Sequence, residues 1–294
     1  MRKRLLCLLL CCLLPAAALA ETFALPIDLS GGLPVKTAFR KDLMVYEDPS
    51  IRVERGRVEN KDTHFNCTYD YALITIADAS QLRTVSAGGF DTVYRAKAHT
   101  MARRVNAVLA LNGDFYGARY DGYVLRQGKL YRDNALPNAD ILLIDEDGDF
   151  HIVLAKDNSP ELDKTVWNGK KIINGFAFGP ALVVDDQSVL DESSSPEMSA
   201  PESRGMRICI AQTGHLQYLV VYCKAVGCNM QEMVELVQEV AGNVAGGHVI
   251  AAYNLDGGDS AQLVFLGQLI NKSEKSARQV TDIIYFASAW RPED

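Results

Sequence analysis

Two short stretches carry residue types that could do chemistry together. One runs Asp256, Gly257, Gly258, Asp259, Ser260, and the other runs Asn112, Gly113, Asp114. Each follows an apolar segment, Ala251 to Leu255 and Val105 to Leu111, and each opens into a glycine-containing turn. Adjacent glycines permit positive φ, and successive backbone N–H groups can then form a concave seat for an anion. The carboxylate of Asp256 stands directly before that seat. An acid beside an anion seat suits a reaction on a charged substrate that needs a base or nucleophile. Asp114 is expected to join Asp256 in one cleft from a separate strand end. The same Asp-Gly-Gly sequence is also good β-turn chemistry, and the residues alone leave both readings open. Asp259 reads as a solvated turn residue. No histidine pairs with these acids in the sequence, which does not suit a transition metal. No metal site and no cofactor is assigned, although a hard cation such as calcium is compatible with the acids.

Positioning the acids falls mainly to strands. Tyr69 to Ile76 is one, and Val105 to Leu111 is a buried one. Between them Val93, Ala96, Ala98, Met101 and Val105 follow helical spacing, which predicts a helix over 90–104 ending in Arg103 and Arg104. Hairpins are expected around Gln127-Gly128 and around Asp145 to Asp149. The second turn is acidic but lacks calcium-loop spacing, with Gly148 fourth and Lys156 twelfth. Arg126 and Arg132 then read as lining a solvated hairpin edge. Residues 185–203 are acidic and rich in Ser and Pro, the composition of a surface loop. Strands Arg207 to Ala211 and Gln217 to Val221 flank Thr213-Gly214. Asn229 and Glu232 form a capping box for a helix with Met230, Met233, Val234, Val237, Val240 and Ala241 on one face. Asp282 to Ala287 is the last strand. The expected fold is α+β: a mixed, largely antiparallel β-sheet core with flanking helices. It forms a single domain over 61–290, after a charged arm over 21–60.

The chain opens with Arg2, Lys3 and Arg4, an apolar run from Leu5 to Leu14, and Ala18-Leu19-Ala20. That is the pattern of a cleaved secretory signal peptide over 1–20, so the expected location is outside the cell or on the exterior of the envelope. No later stretch is apolar and long enough for stable membrane insertion. The net charge of −7 disfavours nucleic acid or an anionic membrane as a main partner. An anionic ligand must therefore be held by a local Arg, Lys or N–H group. Of the seven cysteines, Cys67, Cys209, Cys223 and Cys228 lie beyond the signal. In an exported chain these predict disulfides, with Cys223–Cys228 favoured and Cys67–Cys209 second.

Five motifs then fall in order: NGDFYG at 112–117, GYVLRQGKLYR at 122–132, FGPAL at 178–182, YNLDGGDSAQLVF at 253–265 and ARQVTDIIYF at 277–286. Together they resemble the exported bacterial branch of the phosphodiester glycosidase family, from about Tyr69 to Phe286. The resemblance implies hydrolysis of the anomeric bond of a sugar-1-phosphodiester, with an N-acetylhexosamine or cell-envelope glycan as substrate. Glycosidases meet an oxocarbenium-like transition state with two carboxyl groups. A phosphate monoester leaves readily and needs its charge stabilised, so one carboxylate with cationic or N–H donors can suffice. The implied catalytic residues are Asp114 and Asp256 as base or nucleophile, with Arg207 on the phosphate. The implied substrate-binding residues are Asn112, Gly113, Asn254, Gly257, Gly258, Ser260 and Arg278. Two segments depart from the family pattern. Met206-Arg207-Ile208-Cys209-Ile210-Ala211 replaces Pro-Arg-Thr-Ala-Ile-Gly, and Val221-Tyr222-Cys223-Lys224 replaces Val-Asp-Gly-Arg. Lys keeps the charge of Arg but not its bidentate fork. These departures carry a second reading, a non-catalytic exported protein of carbohydrate binding or of exopolysaccharide and envelope assembly.

Overall fold

The computed structural model describes residues 23–28, 30–134, 138–194 and 202–291. The expected signal peptide and part of the acidic loop lie outside the described residues. Strands dominate the rest, in three antiparallel sheets. The largest has eight strands, in the order Val45–Asp48, Ile51–Val58, Tyr69–Ile76, Gln217–Cys228, Gly205–Gly214, Ala251–Leu255, Ala181–Val184 and Gln187–Ser188. A five-stranded sheet runs Gln268–Leu269, Leu263–Phe265, Ala107–Asn112, Asp282–Ala287 and Leu82–Ser86. The third sheet centres on Gly122–Arg126, Lys170–Phe176 and Ile141–Asp145.

This overturns the expected α+β class. The chain is mostly β, and the described residues hold two α-helices, Ala98–Arg104 and Met230–Val244. The helix predicted over 90–104 keeps only its second half. Ala96 exchanges both backbone hydrogen bonds with Val280, at 2.9 Å each, so the residues before Lys97 are held extended. The later helix forms as expected. Asn229 Oδ1 accepts from Glu232 N–H at 2.8 Å, and Glu232 Oε2 accepts from Asn229 N–H at 2.9 Å. Two strands, Val45–Asp48 and Ile51–Val58, arise within the stretch read as an arm. Both expected hairpins are present, and Gln127 and Gly128 at φ 50° and 74° give the turn its twist-matched geometry.

Period-two burial explains the layering. Ile210, Val220 and Tyr253 of the large sheet pack with Leu109, Leu111, Ile284 and Phe286 of the five-stranded sheet. Their neighbours Cys209, Ala211, Leu219 and Val221 point the other way, onto Met233, Val237 and Val240 of the long helix. Ala110, Ile283 and Tyr285 turn outward from the five-stranded sheet to meet Met101 and Ala102 of the short helix. Each large apolar side chain so buried stabilises by about 1.5–3 kcal/mol. Leu142, Ile144 and Phe176 of the third sheet join the same central core. The three sheets therefore meet where Asn112, Leu255, Arg126 and Asp282 begin or end their strands.

Candidate active site

Asp114 lies two residues past the Ala107–Asn112 strand and is fully buried. Its Oδ1 accepts from Arg126 Nη2 at 2.8 Å, and its Oδ2 accepts from the Ala177 N–H at 3.1 Å. Arg119 Nη2 stands 4.0 Å from the same oxygen. With both oxygens held, Asp114 is suited to positioning rather than to direct attack. Arg126 is 0 % exposed, so the expectation of a solvated hairpin edge is wrong. Its guanidinium bridges two acids, donating from Nε to Asp282 Oδ2 at 3.1 Å. It also donates to the carbonyls of Leu125 and Gly175, and it lies 4.0 Å from the centre of the Phe176 ring. A buried cation needs such partners, because an unpaired one would be heavily destabilised. Arg132 is half-buried at the hairpin, donating to the carbonyls of Tyr116, Arg119 and Asp121.

Asp282 begins its strand beside these groups. Burial pushes its carboxyl up to about 7 and Asp114 pushes the same way, while Arg126 and Arg119 pull it down. Its Oδ1 has no hydrogen-bond partner among the described residues. A Cβ on Gly113 would lie 2.1 Å from that oxygen, so only glycine lets the backbone pass this close.

Asp256 follows the Ala251–Leu255 strand and is partly exposed. Burial raises its carboxyl to about 6 and Asp114 pushes the same way, while Ser260 and Arg278 pull it down. The Ser260 hydroxyl is close enough to act on Asp256, yet it makes no well-formed hydrogen bond there. Asn112 ties the two acid-bearing loops together. Its Nδ2 donates to the Asp256 carbonyl at 2.8 Å, and its Oδ1 accepts from the Gln262 N–H at 2.9 Å.

Beside Asp114 lies a narrow cleft with about 10 Å³ of enclosed space, room for about one water, and neither Asp114 nor Arg126 lines it. Asn112, Gly113, Asp256, Ser260 and Asp282 line it, together with Arg95, Phe115 and the backbone stretch 279–281. The other sequence candidates surround it. Gly258 takes φ 56°, whereas Gly257 stays at φ −97°. Gly257 is required for packing, because a Cβ would sit 2.7 Å from the Met206 carbonyl. The N–H groups of Gly257 and Gly258 have no acceptor among the described residues. Arg207 lies near Gly257, outside the lining of this cleft, and donates from Nη2 to the Ser203 carbonyl at 2.9 Å. Asn254 Nδ2 donates to the Gly179 carbonyl at 2.7 Å, away from the cleft lining. Arg278 is exposed and acts on Asp256 at longer range. Among the described residues no group of three or more His, Cys, Asp or Glu is arranged to hold a metal ion.

Sequence patterning did not single out Asp282, Arg95 or Phe115. Asp282 heads an apolar strand, and its charge there was the one available signal. The expected disulfides, Cys223–Cys228 and Cys67–Cys209, are not formed. Cys67, Cys209, Cys223 and Cys228 are buried free thiols, and Cys223 Sγ lies 3.0 Å from Cys67 Sγ.

A family model described as phosphodiester glycosidase matches residues 105–287. The chain belongs to the phosphodiester glycosidase family. The matched span contains Asp114, Arg126, Asp256 and Asp282. Among solved structures, a zebrafish protein is similar to this family member with a TM-score of 0.61 and 15% identity. It is the N-acetylglucosamine-1-phosphodiester alpha-N-acetylglucosaminidase catalytic domain auto-inhibited by pro-peptide, and the match covers 87% of each chain. A hypothetical protein from Synechocystis is similar with a TM-score of 0.59 and 17% identity, over 83% of this chain and 64% of that one. This chain thus spans somewhat under two thirds of the Synechocystis protein. At these identities the likenesses show the fold. No curated protein matches the sequence.

Proposed function

We propose that this phosphodiester glycosidase hydrolyses the anomeric C–O bond of a sugar-1-phosphodiester, of the N-acetylhexosamine or cell-envelope glycan class. The products are the sugar and a phosphomonoester. One observation carries the reading: Asp256 and Asp282 line the same cleft, and burial raises both carboxyls toward neutrality. Two buried carboxyl groups that are both raised toward neutral pH can divide the work of base and acid. Asp256, at about 6, supplies the carboxylate that acts at the anomeric carbon, directly or through water. Asp282, raised by burial and held by Arg126, is the candidate acid on the leaving-group side. Water supplies the hydroxyl that ends on the sugar. Arg126 orients Asp282 and balances the charge of Asp114 behind it. In this reading residues 1–20 direct export, and the substrate is met at the envelope exterior.

The test is a panel of sugar-1-phosphodiesters with product analysis, run on wild type and on Asp256→Asn. Free sugar plus phosphomonoester, lost in the variant, supports the reading. Sugar-1-phosphate as product would indicate P–O cleavage instead. Binding without turnover would favour a carbohydrate-binding role.

A further inference from the structure

A negatively charged substrate entering this cleft meets Asp256 and Asp282, in a protein whose overall charge is already negative. Something positive must offset that repulsion at close range. Arg126 is buried and committed to Asp114 and Asp282, Arg119 is buried beside Asp114, and neither these nor Arg207, near Gly257, line the cleft. Lys272 donates to the Asp259 carbonyl at 3.0 Å, and Arg278 does not line the cleft. Arg95 does line it, and it is the one cation among the described lining residues. It is exposed and makes no ion pair with a described residue. Its guanidinium sits 5.9 Å from the centre of the Phe115 ring, within range of a cation–π contact.

Two backbone features hold that pair in place. The Ala96–Val280 bridge fixes the chain one residue from Arg95. Phe115 takes φ 65°, a left-handed conformation that bulky side chains rarely adopt. Such strain persists only where the surroundings enforce it, and it concentrates at functional sites. Here it follows directly on Asp114 and sets an aromatic ring in the cleft wall.

We propose that Arg95, braced on Phe115, is the residue that reads the phosphate of the substrate. This rests on the phosphodiester reading above and assigns the anion to a position that sequence patterning assigned to Arg207. The planar guanidinium offers paired donors to two phosphate oxygens. The contact strengthens as the diester, with one negative charge, becomes the more highly charged monoester. Arg95 therefore favours the transition state and also retains product, so phosphate compounds are inhibitors.

The experiment compares wild type, Arg95→Gln, Arg95→Lys and the control Arg52→Gln. Arg52 is an exposed arginine on the second strand of the large sheet, paired with Glu47 and Glu54. Inorganic phosphate binding is measured by calorimetry at low salt, and KM and kcat on a sugar-1-phosphodiester are measured alongside. The expected result is phosphate binding in wild type and in Arg52→Gln, weakened at least about tenfold in Arg95→Gln. Arg95→Lys should recover part of it, because charge survives and the fork does not. Raised KM and lowered kcat on the diester should follow the same order. Melting temperatures should agree across the set, since Arg95 is exposed. Wild-type phosphate affinity in Arg95→Gln, or no phosphate binding by wild type, overturns the inference. Failure of wild type to cleave any diester would defeat the functional reading instead, while the calorimetry still decides the anion site.

Discussion

Asp282 has one oxygen bound to Arg126 and the other pressed against the backbone of Gly113. Its carboxyl, raised to about 7, binds a proton in the folded protein over a range where the unfolded chain has already lost it. The folded state then holds more protons, so this group's contribution to stability falls as pH rises from about 4 to about 7. Asp256 acts in the same direction up to about 6. In Asp282→Asn the first contribution disappears. The melting temperature of the variant minus that of wild type should therefore grow more positive from pH 4 to pH 7, a tenfold difference in proton affinity between folded and unfolded chain being worth about 1.4 kcal/mol. A flat difference across that range would remove Asp282 as a perturbed acid. Turnover should follow a bell between the same two groups, rising as Asp256 ionises near 6 and falling as Asp282 loses its proton near 7. A rate that climbs steadily through pH 8 would contradict that division of roles. Asp114 and Asp256 were legible because each follows an apolar strand and opens a glycine turn. Arg126 was not, because a charge at a hairpin reads as solvated. Its acids stand 12 and 156 residues away in sequence, and no local pattern announces them.

At the scale of elements, strands were easier to read than helices. Alternating burial marks Tyr69–Ile76, and buried runs mark Ala107–Asn112 and Asp282–Ala287. The predicted helical spacing holds only from Ala98, with Val93 exposed and outside the helix, because the Ala96–Val280 bridge took the backbone that the first turn needed. Sheet pairing also decides the cysteines. Cys223 lies opposite Tyr69 in the large sheet, which carries Cys67 to its side. Loop length favoured Cys223–Cys228, and the Cys228 thiol does stand close enough to raise Cys223, yet Cys67 makes the 3.0 Å contact with it while the Cys228 sulfur lies 3.6 Å from that of Met233. Glutathione disulfide should therefore couple Cys67 to Cys223, with two thiols giving up two protons and two electrons and the oxidant becoming two glutathiones. Peptide mapping without reduction should find that cross-link. Recovery of Cys223–Cys228, or of no cross-link after denaturant-free oxidation, would contradict it.

At the scale of the whole molecule, three sheets converge on one cleft. The five-stranded sheet brings Asn112 and Asp282 and the large sheet leads into Asp256, while the third holds Asp282 from behind the cleft through Arg126. Five short motifs spread over the chain pointed to the family before any geometry was known. The count of helices and the way the sheets meet were not legible, because they depend on pairings such as Ile283 with Asn112 between distant segments. The central claim is that this convergence breaks a carbon–oxygen bond at the anomeric centre. Hydrolysis of a sugar-1-phosphodiester in oxygen-18 water tests it most directly, with the label located by mass spectrometry. The account predicts the label in the C1 hydroxyl of the released sugar, none in the phosphomonoester, and loss of the reaction in Asp256→Asn. Label in the phosphate would place the cleavage at phosphorus and contradict it.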